Sequence, residues 1–239
     1  MHSQDISFST PQENILYDEV LLYLAETEHQ GEMLRFWESQ KYFIVLGRVG
    51  KLEEDILGDQ VRQDHIPVLR RYSGGGTVIQ GRGCLNYSMI LSQKNRSQIH
   101  DLRGSYEYIL GKVRMVLKSL DIDCEFRPIS DIALADSEKK ISGNAQHRGR
   151  NFILHHGTIL YGFDLYLIER YLKIPRHVPD YRRGRSHGDF LANIAVKPAD
   201  FKNALTAAFE VKKETHHLSQ FQRRCLDEFL QSKKPVISL

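Results

Sequence analysis

Apolar residues at Ile15, Leu16, Val20, Leu21 and Leu24 recur every three to four positions, which predicts a helix over 14–28 with Gly31 placed to end it. The runs 33–37 and 42–46 are short and rich in aromatic and aliphatic residues, the second also in β-branched ones, and predict two strands. A charged stretch over 52–64 predicts a helix, and 66–71 a further strand. The glycines Gly74, Gly75 and Gly76 break the pattern before 77–79 resumes it. Between 85 and 91, Leu85, Tyr87, Met89 and Leu91 alternate with polar Asn86 and Ser88, the period of a half-buried strand. The clearest helical period covers 102–120, through Tyr106, Ile109, Leu110, Val113, Val116 and Leu117. Further strands are predicted at 124–127, 131–135 and 152–160, and helices at 164–172, 200–211 and 218–230. Strands in runs with helices interposed, without regular βαβ alternation, predict an α+β fold with a largely antiparallel mixed sheet flanked by helices.

Composition narrows the picture by exclusion. The 239 residues are 41% hydrophobic and 26% charged, with mean hydropathy −0.41. That balance excludes collagen and disordered chains and is ordinary for a globular protein. The longest apolar run, 42–46, falls far short of the ~20 residues that span a bilayer. The polar opening of the chain carries no signal-peptide pattern, so a cytoplasmic location is expected. With 33 basic against 30 acidic residues the net charge is +3, too weak for a dedicated nucleic-acid binder. Cys84, Cys124 and Cys225 lack C-x-x-C spacing, which fits a reducing compartment and argues against a structural zinc site.

Three segments stand out as candidate chemistry. The first is Arg70-Arg71-Tyr72-Ser73-Gly74-Gly75-Gly76-Thr77-Val78-Ile79. A glycine-rich turn can turn successive amides toward phosphate oxygens, with the arginines adding charge; the plainer reading is a hairpin turn with solvated arginines. It is neither a Walker A loop nor a dinucleotide fingerprint, since the glycines lead into β-branched residues. The second is Lys139-Lys140-Ile141-Ser142-Gly143-Asn144-Ala145-Gln146, where a lysine beside a tight turn either reaches a phosphate or carbonyl oxygen or belongs to a solvated loop. The third is His155-His156-Gly157-Thr158. Adjacent histidines on a strand point to opposite faces, so they do not chelate one metal together.

Taken together, these segments resemble the lipoate–protein ligase A family of the biotin/lipoate ligase superfamily. The likeness extends to Asn14-Ile15-Leu16-Tyr17-Asp18-Glu19, to Arg35-Phe36-Trp37 with Gly47-Arg48 as a first hairpin, and to Leu85-Asn86-Tyr87-Ser88, covering about 14–211. The resemblance implies a catalytic domain over 1–211 with a class II aminoacyl-tRNA synthetase-like fold. It implies a short form in which 212–239 is a helical tail and no separate accessory domain is present.

The activity implied is ATP-dependent: lipoate (or octanoate) becomes an acyl-adenylate, and the acyl group passes to a lysine of a lipoyl domain. ATP and Mg²⁺ are the implied cofactors, with no metal ligands assigned. By the same resemblance, Lys140 is the catalytic residue. Arg71, Ser73, Gly75, Gly76, Thr77, Val78, Ile79, Lys140 and Arg185 would hold ATP or the adenylate. Gly74, Gly75, Lys140, Gly143, Ala145, His156, Gly157 and Thr158 would hold lipoate. The implied acceptors are an acyltransferase subunit or a glycine-cleavage H-like protein, with either a separate accessory-domain chain or a ligase that needs none; neither nucleic acid nor membrane is among the partners.

The sequence departs from the family at Gln80-Gly81 and Gly83-Cys84, where the family has His-Asp and Gly-Asn. Gln80 cannot act as an acid or base. The cation-rich stretch around Arg182, Arg183 and Arg185 reads either as a capping loop or as a solvated turn. Two rivals remain at this stage: an ATP-independent octanoyl or lipoyl transferase with Cys124 as thioester nucleophile, and a non-catalytic binder that keeps the fold. Asp123 and Glu125 beside Cys124 disfavour a thiolate.

Overall fold

The computed structural model describes residues 1–28, 30–233 and 235–237, and the chain opens with a polar strand, β1 (His2–Asp5), that the hydropathy pattern does not mark. Helix α1 (Pro11–Thr27) begins before its apolar period. Thr10 caps it by accepting from the Glu13 amide at 3.2 Å, and Pro11 has no amide to satisfy. Strands β2 (Met33–Trp37) and β3 (Phe43–Leu46) follow as expected. Two short helices, α2 (Leu52–Asp55) and α3 (Gly58–Gln63), replace the single one predicted over 52–64, because Ile56 between them bridges to Leu172.

Next come β4 (Val68–Arg70), β5 (Val78–Gln80) and β6 (Cys84–Ser92). Helix α4 (Leu102–Ser119) is capped by Asp101, which accepts from Gly104 at 2.8 Å. Four strands succeed it: β7 (Cys124–Arg127), β8 (Asp131–Leu134), β9 (Lys140–Arg148) and β10 (Phe152–Leu160). The remaining elements are α5 (Tyr166–Tyr171), α6 (His187–Phe190), α7 (Pro198–Ala208), β11 (Lys213–Thr215) and α8 (Gln220–Ser232).

Eight strands form one sheet in the order β11-β1-β2-β6-β10-β9-β8-β7, and a second sheet has the order β4-β3-β5. In the large sheet β1 runs parallel to both β2 and β11 while the other pairs are antiparallel. The expected α+β class, with a largely antiparallel mixed sheet flanked by helices, is therefore what forms. The expected hairpin of β2 and β3 does not. Both edges of β2 are occupied, by β1 and β6, so β3 pairs with β4 and β5 instead.

Strand β9 corrects a second expectation. Residues 140–148 look like a loop because Ser142, Asn144 and Gln146 are polar, yet each is satisfied inside the fold. Asn144 accepts from the Tyr87 hydroxyl and donates to Ser142 Oγ at 3.1 Å, and Gln146 accepts from Ser105 at 2.9 Å. Buried hydrogen-bonded polar groups remove the alternation that marks a strand.

One face of the large sheet, with Leu85, Tyr87, Met89 and Leu91, packs in the same core as Ile109 and Val113 of α4 and Phe201 of α7. On the other face, Met33, Ile90 and Leu154 cluster with α1 and with Cys225 and Leu226 of α8. The segment after 211 is tied in at several points. β11 extends the sheet beside β1, α8 packs on α1, and Pro235 and Ile237 exchange backbone hydrogen bonds with Arg70 and Val68, each at 2.8 Å. The expected helical tail thus also supplies strand pairing; its residues Lys234, Ser238 and Leu239 lie outside the described ones.

Candidate active site

Register brings the candidate residues onto one face of the large sheet. Trp37 lies opposite Asn86, Ser88 opposite His156, His156 opposite Ala145, and Asp131 opposite Gly143. All of them line a single cavity of about 890 Å³. It crosses β2, β6, β10, β9 and β8, which at ~4.8 Å between neighbouring strands is a span of about 19 Å. One end is apolar, where Trp37 and Val45 cluster with Ile15. Beneath it Asp18 is held by the fully buried Arg35 at 2.6 Å and accepts from Ser88 at 2.6 Å. The other end carries Lys140, Arg127 and Arg182.

The glycine-rich loop forms another part of the wall, and Arg71 shapes it. Its guanidinium donates to Gly74 O at 2.6 Å, Gly76 O at 2.8 Å, Val45 O at 3.3 Å and Ser73 Oγ at 3.1 Å. Burial lowers the Arg71 pKa to about 10, so it stays charged at neutral pH. Arg71 was expected to hold phosphate; here its donors organise the loop carbonyls. Ser73 Oγ lies 2.5 Å from His156 Nε2, which pins the loop to β10. Desolvation, together with the Arg71 charge, keeps the His156 imidazole well below its usual range and therefore neutral. Arg70 steadies the neighbouring turn, donating to Gly47 O at 3.0 Å and Gly50 O at 2.7 Å.

Two glycines are needed here for space. A Cβ on Gly47 would fall 2.0 Å from Gly75 O, so the loop can dock only against glycine. Gly75 itself has φ +83°, the left-handed region that favours glycine. Across the cavity, a Cβ on Gly143 would lie 3.0 Å from both Cε and Nζ of Lys140, because the lysine side chain folds back over its own strand.

Most of the sequence-predicted residues meet at this cavity: Arg71, Ser73, Gly75, Gly76, Thr77, Val78, Lys140, Gly143, Ala145, His156 and Thr158 all line it. Gly74, Ile79, Gly157 and Arg185 do not. Ile79 is buried in the core beneath the small sheet, and Gly157 faces the α4 side, against the Tyr87 hydroxyl and Asn144. Arg185 donates to Ser137 O at 3.2 Å, Glu138 O at 3.1 Å and Tyr181 O at 2.7 Å, which fastens its loop to the turn between β8 and β9. Cys124 also lies elsewhere, fully buried in the core with α4, and burial raises its thiol to about 11. Cys84 is likewise buried and raised to about 12.

Arg182, not Arg185, is the loop arginine on the cavity wall. It is 4% exposed, its Cζ sits 4.8 Å over the Phe190 ring, and its buried NH2 nitrogen has no partner. Sequence reasoning marked the stretch but named Arg185, three residues further on, in place of Arg182. Asp131 and Tyr181 were also missed, since a lone Asp and Tyr carry no motif.

A strand-borne lysine and a glycine-rich loop on the wall of one cavity, with cationic and apolar side chains at its ends, can accommodate an anionic head and an aliphatic tail. The profile of the lipoyl protein ligase A/B catalytic domain matches residues 10–210, and the chain belongs to this family. It is 25% identical over 217 residues to lipoate-protein ligase A subunit 1 of Thermoplasma acidophilum, covering 86% of this chain and 79% of that one. It is 26% identical over 166 residues to the probable lipoate-protein ligase A of Mycoplasma pneumoniae (70% of this chain) and spans about half, 47%, of that relative's length. It is also 28% identical over 172 residues to octanoyltransferase LipM of Exiguobacterium sp., covering 63% and 62% of the two chains. Among solved structures, the fold matches that of the bi-partite lipoate protein ligase of Thermoplasma acidophilum with TM-score 0.81 at 22% identity, over 97% of this chain and 92% of that one.

Proposed function

We propose that this protein is an ATP-dependent lipoate–protein ligase. The carboxylate of lipoate, or octanoate, attacks the α-phosphorus of ATP and displaces pyrophosphate. A lysine amine of a lipoyl domain then attacks the acyl carbon and AMP leaves. The observation that carries this reading is a cavity with Lys140 and Arg182 at one end and Trp37, Val45 and Ile15 at the other, on whose wall none of the three cysteines lies. The cations suit the charge that develops on the phosphoryl and acyl oxygens. The apolar end suits an aliphatic tail, whose burial is worth roughly 0.8 kcal/mol per methylene.

The family also contains the octanoyltransferase relative, and that chemistry asks for a thiolate beside the acyl carbon. Cys124 is the sequence candidate, and its burial in the opposite core with a raised pKa weighs against it. Mg²⁺ suits the site as the partner of the triphosphate. No cluster of three or more His, Cys, Asp or Glu is present among the described residues, so phosphates and water would supply most of its ligands. The exposed Asp180, in the turn that carries Arg182, is a cavity carboxylate. The bound Mg²⁺ would offset phosphate charge. The ATP-bound lipoate-protein ligase A of the same fold (TM-score 0.79, 23% identity, covering 97% of this chain and 94% of that one) supports a nucleotide in this class of cavity.

The proposed acceptor is a lipoyl domain, on an acyltransferase subunit or a glycine-cleavage H-like protein. The Thermoplasma ligase is described as bi-partite and was studied with its E2 lipoyl domain, which supports a separate accessory chain here as well. The test is the intact mass of a purified lipoyl domain after incubation with this protein, lipoate, Mg²⁺ and ATP, beside a control without ATP. A lipoyl mass gain only with ATP supports the ligase. A gain from octanoyl carrier protein without ATP, lost in Cys124→Ala, would replace it with the transferase.

A further inference from the structure

Lys140 is not free on the cavity wall. Its ammonium lies 2.8 Å from Asp131 Oδ1, and the other oxygen of that carboxylate accepts the Tyr181 hydroxyl at 2.7 Å. Asp131 is 7% exposed and stands on β8, Lys140 begins β9, and Tyr181 belongs to the turn after Pro179. A carboxylate gripped at each oxygen by a donor from a different element cannot rotate about its last bond. The lysine that it holds is thereby fixed too, although a free lysine side chain has many rotamers to lose.

The grip on Tyr181 is itself built. Its ring packs on Phe190 with centroids 5.1 Å apart, and Arg185 donates to its carbonyl while also donating to the turn between β8 and β9. Arg183 adds an ion pair to Glu138 of the same turn at 3.1 Å. Burial and the neighbouring Asp131 push the Tyr181 phenol well above its ordinary range, so it stays a donor at any working pH. The segment that carries Arg182 into the cavity is thus latched to the hairpin that carries Lys140.

We propose that Tyr181 is a positioning residue for Lys140, acting through Asp131: while the turn is seated, the hydroxyl orients the carboxylate and the carboxylate aims the ammonium along the cavity. This rests on the ligase reading, in which Lys140 faces the reacting phosphate and acyl oxygens. Removal of the hydroxyl alone leaves the ring packed on Phe190. It frees Asp131 to swing and close on Lys140 with both oxygens, which draws the ammonium away from the reacting atoms. The turn therefore helps to assemble the site as well as to cover it.

The test is Tyr181→Phe, Asp131→Asn and the double variant, each compared with wild type in lipoate-dependent ATP–pyrophosphate exchange and in thermal melting. Tyr181→Phe should lower kcat by about ten- to a hundredfold, the worth of one hydrogen bond to a charged group. Its KM for lipoate should match wild type, while loss of the hydrogen bond itself lowers Tm by a few degrees. The double variant should be no slower than Asp131→Asn alone, because the effect runs through that carboxylate. An unchanged kcat in Tyr181→Phe overturns the proposal. So does an additive loss in the double variant, or a loss that comes with a rise in KM. Absence of lipoate-dependent exchange in the wild-type protein, by contrast, removes the reading of this chain as a ligase that activates lipoate without an accessory chain.

Discussion

Replacing Gly47 by alanine adds one methyl group, changes no charge, and tests whether docking of the glycine-rich loop matters. Gly47 is not among the glycines with positive φ, so alanine strains no backbone there and the effect is purely one of space. The new Cβ would stand 2.0 Å from Gly75 O, while real contacts of this kind do not fall under 3.0 Å, so the loop must withdraw by about 1 Å. The partner atom is backbone, and the Arg71 hydrogen bonds to Gly74 O and Gly76 O resist its movement.

Two consequences follow from that geometry. Overpacking of a well-packed site costs roughly 1–3 kcal/mol, which urea denaturation would register as a lower midpoint with the same slope. A 1 Å displacement of groups that hold reacting atoms costs about a hundredfold in rate, measured by lipoate-dependent ATP–pyrophosphate exchange. Wild-type exchange in Gly47→Ala would refute the idea that the loop acts from this docked position. A large loss of stability with normal exchange per folded molecule would refute it equally.

Further expectations follow from neighbouring groups. Arg182→Ala should raise the KM for ATP about tenfold, as loss of a charged hydrogen bond does, and an unchanged KM would remove Arg182 from the anion end. Cys124→Ala should leave lipoylation of the acceptor at the wild-type rate while costing about 1 kcal/mol in a urea melt; a dead enzyme would reinstate the thioester route. Burial holds the His155 imidazole down to about 3, with Gln146 Nε2 3.1 Å from its Nδ1. The unfolded chain takes up that proton as pH falls through ~6.5, whereas the folded chain does not, so stability falls by about 1.4 kcal/mol per pH unit below there. His155→Gln should lose that part of the slope between pH 6 and pH 4, and the same slope in both proteins would contradict the assignment.

Much of the fold is legible in the chain because its periodicities are local. The alternation of Leu85 to Leu91 and the helical period through Val113 and Leu117 survive into β6 and α4, since each buries one continuous stripe. β1 and β9 escape that reading. β1 is polar and lies as a strand only because β2 and β11 flank it, and β9 hides its alternation behind buried polar groups that find partners on β6, β10 and α4. The candidate site is half legible. The glycine run could be marked because three glycines are costly where nothing requires them, and Lys140 and His156 are named through the family resemblance, whereas Arg182, Asp131 and Tyr181 are ordinary residues until folding sets them together.

By itself, then, the sequence determined the α+β class and the glycine-rich loop, and its family resemblance marked Lys140, since backbone freedom and motif order are carried by the chain itself. Tertiary structure decided the rest. Strand register put Lys140 and Trp37 at opposite ends of one cavity, and turned Gly157 to the face opposite His156. Long-range packing took Cys124 into the core and chose Arg182 over Arg185 for the wall. It also joined Asp131 to Tyr181, fifty residues apart in the chain. The physical reason is that side-chain chemistry is carried by each residue, while burial, direction and partner depend on strands that meet only after the sheet has formed.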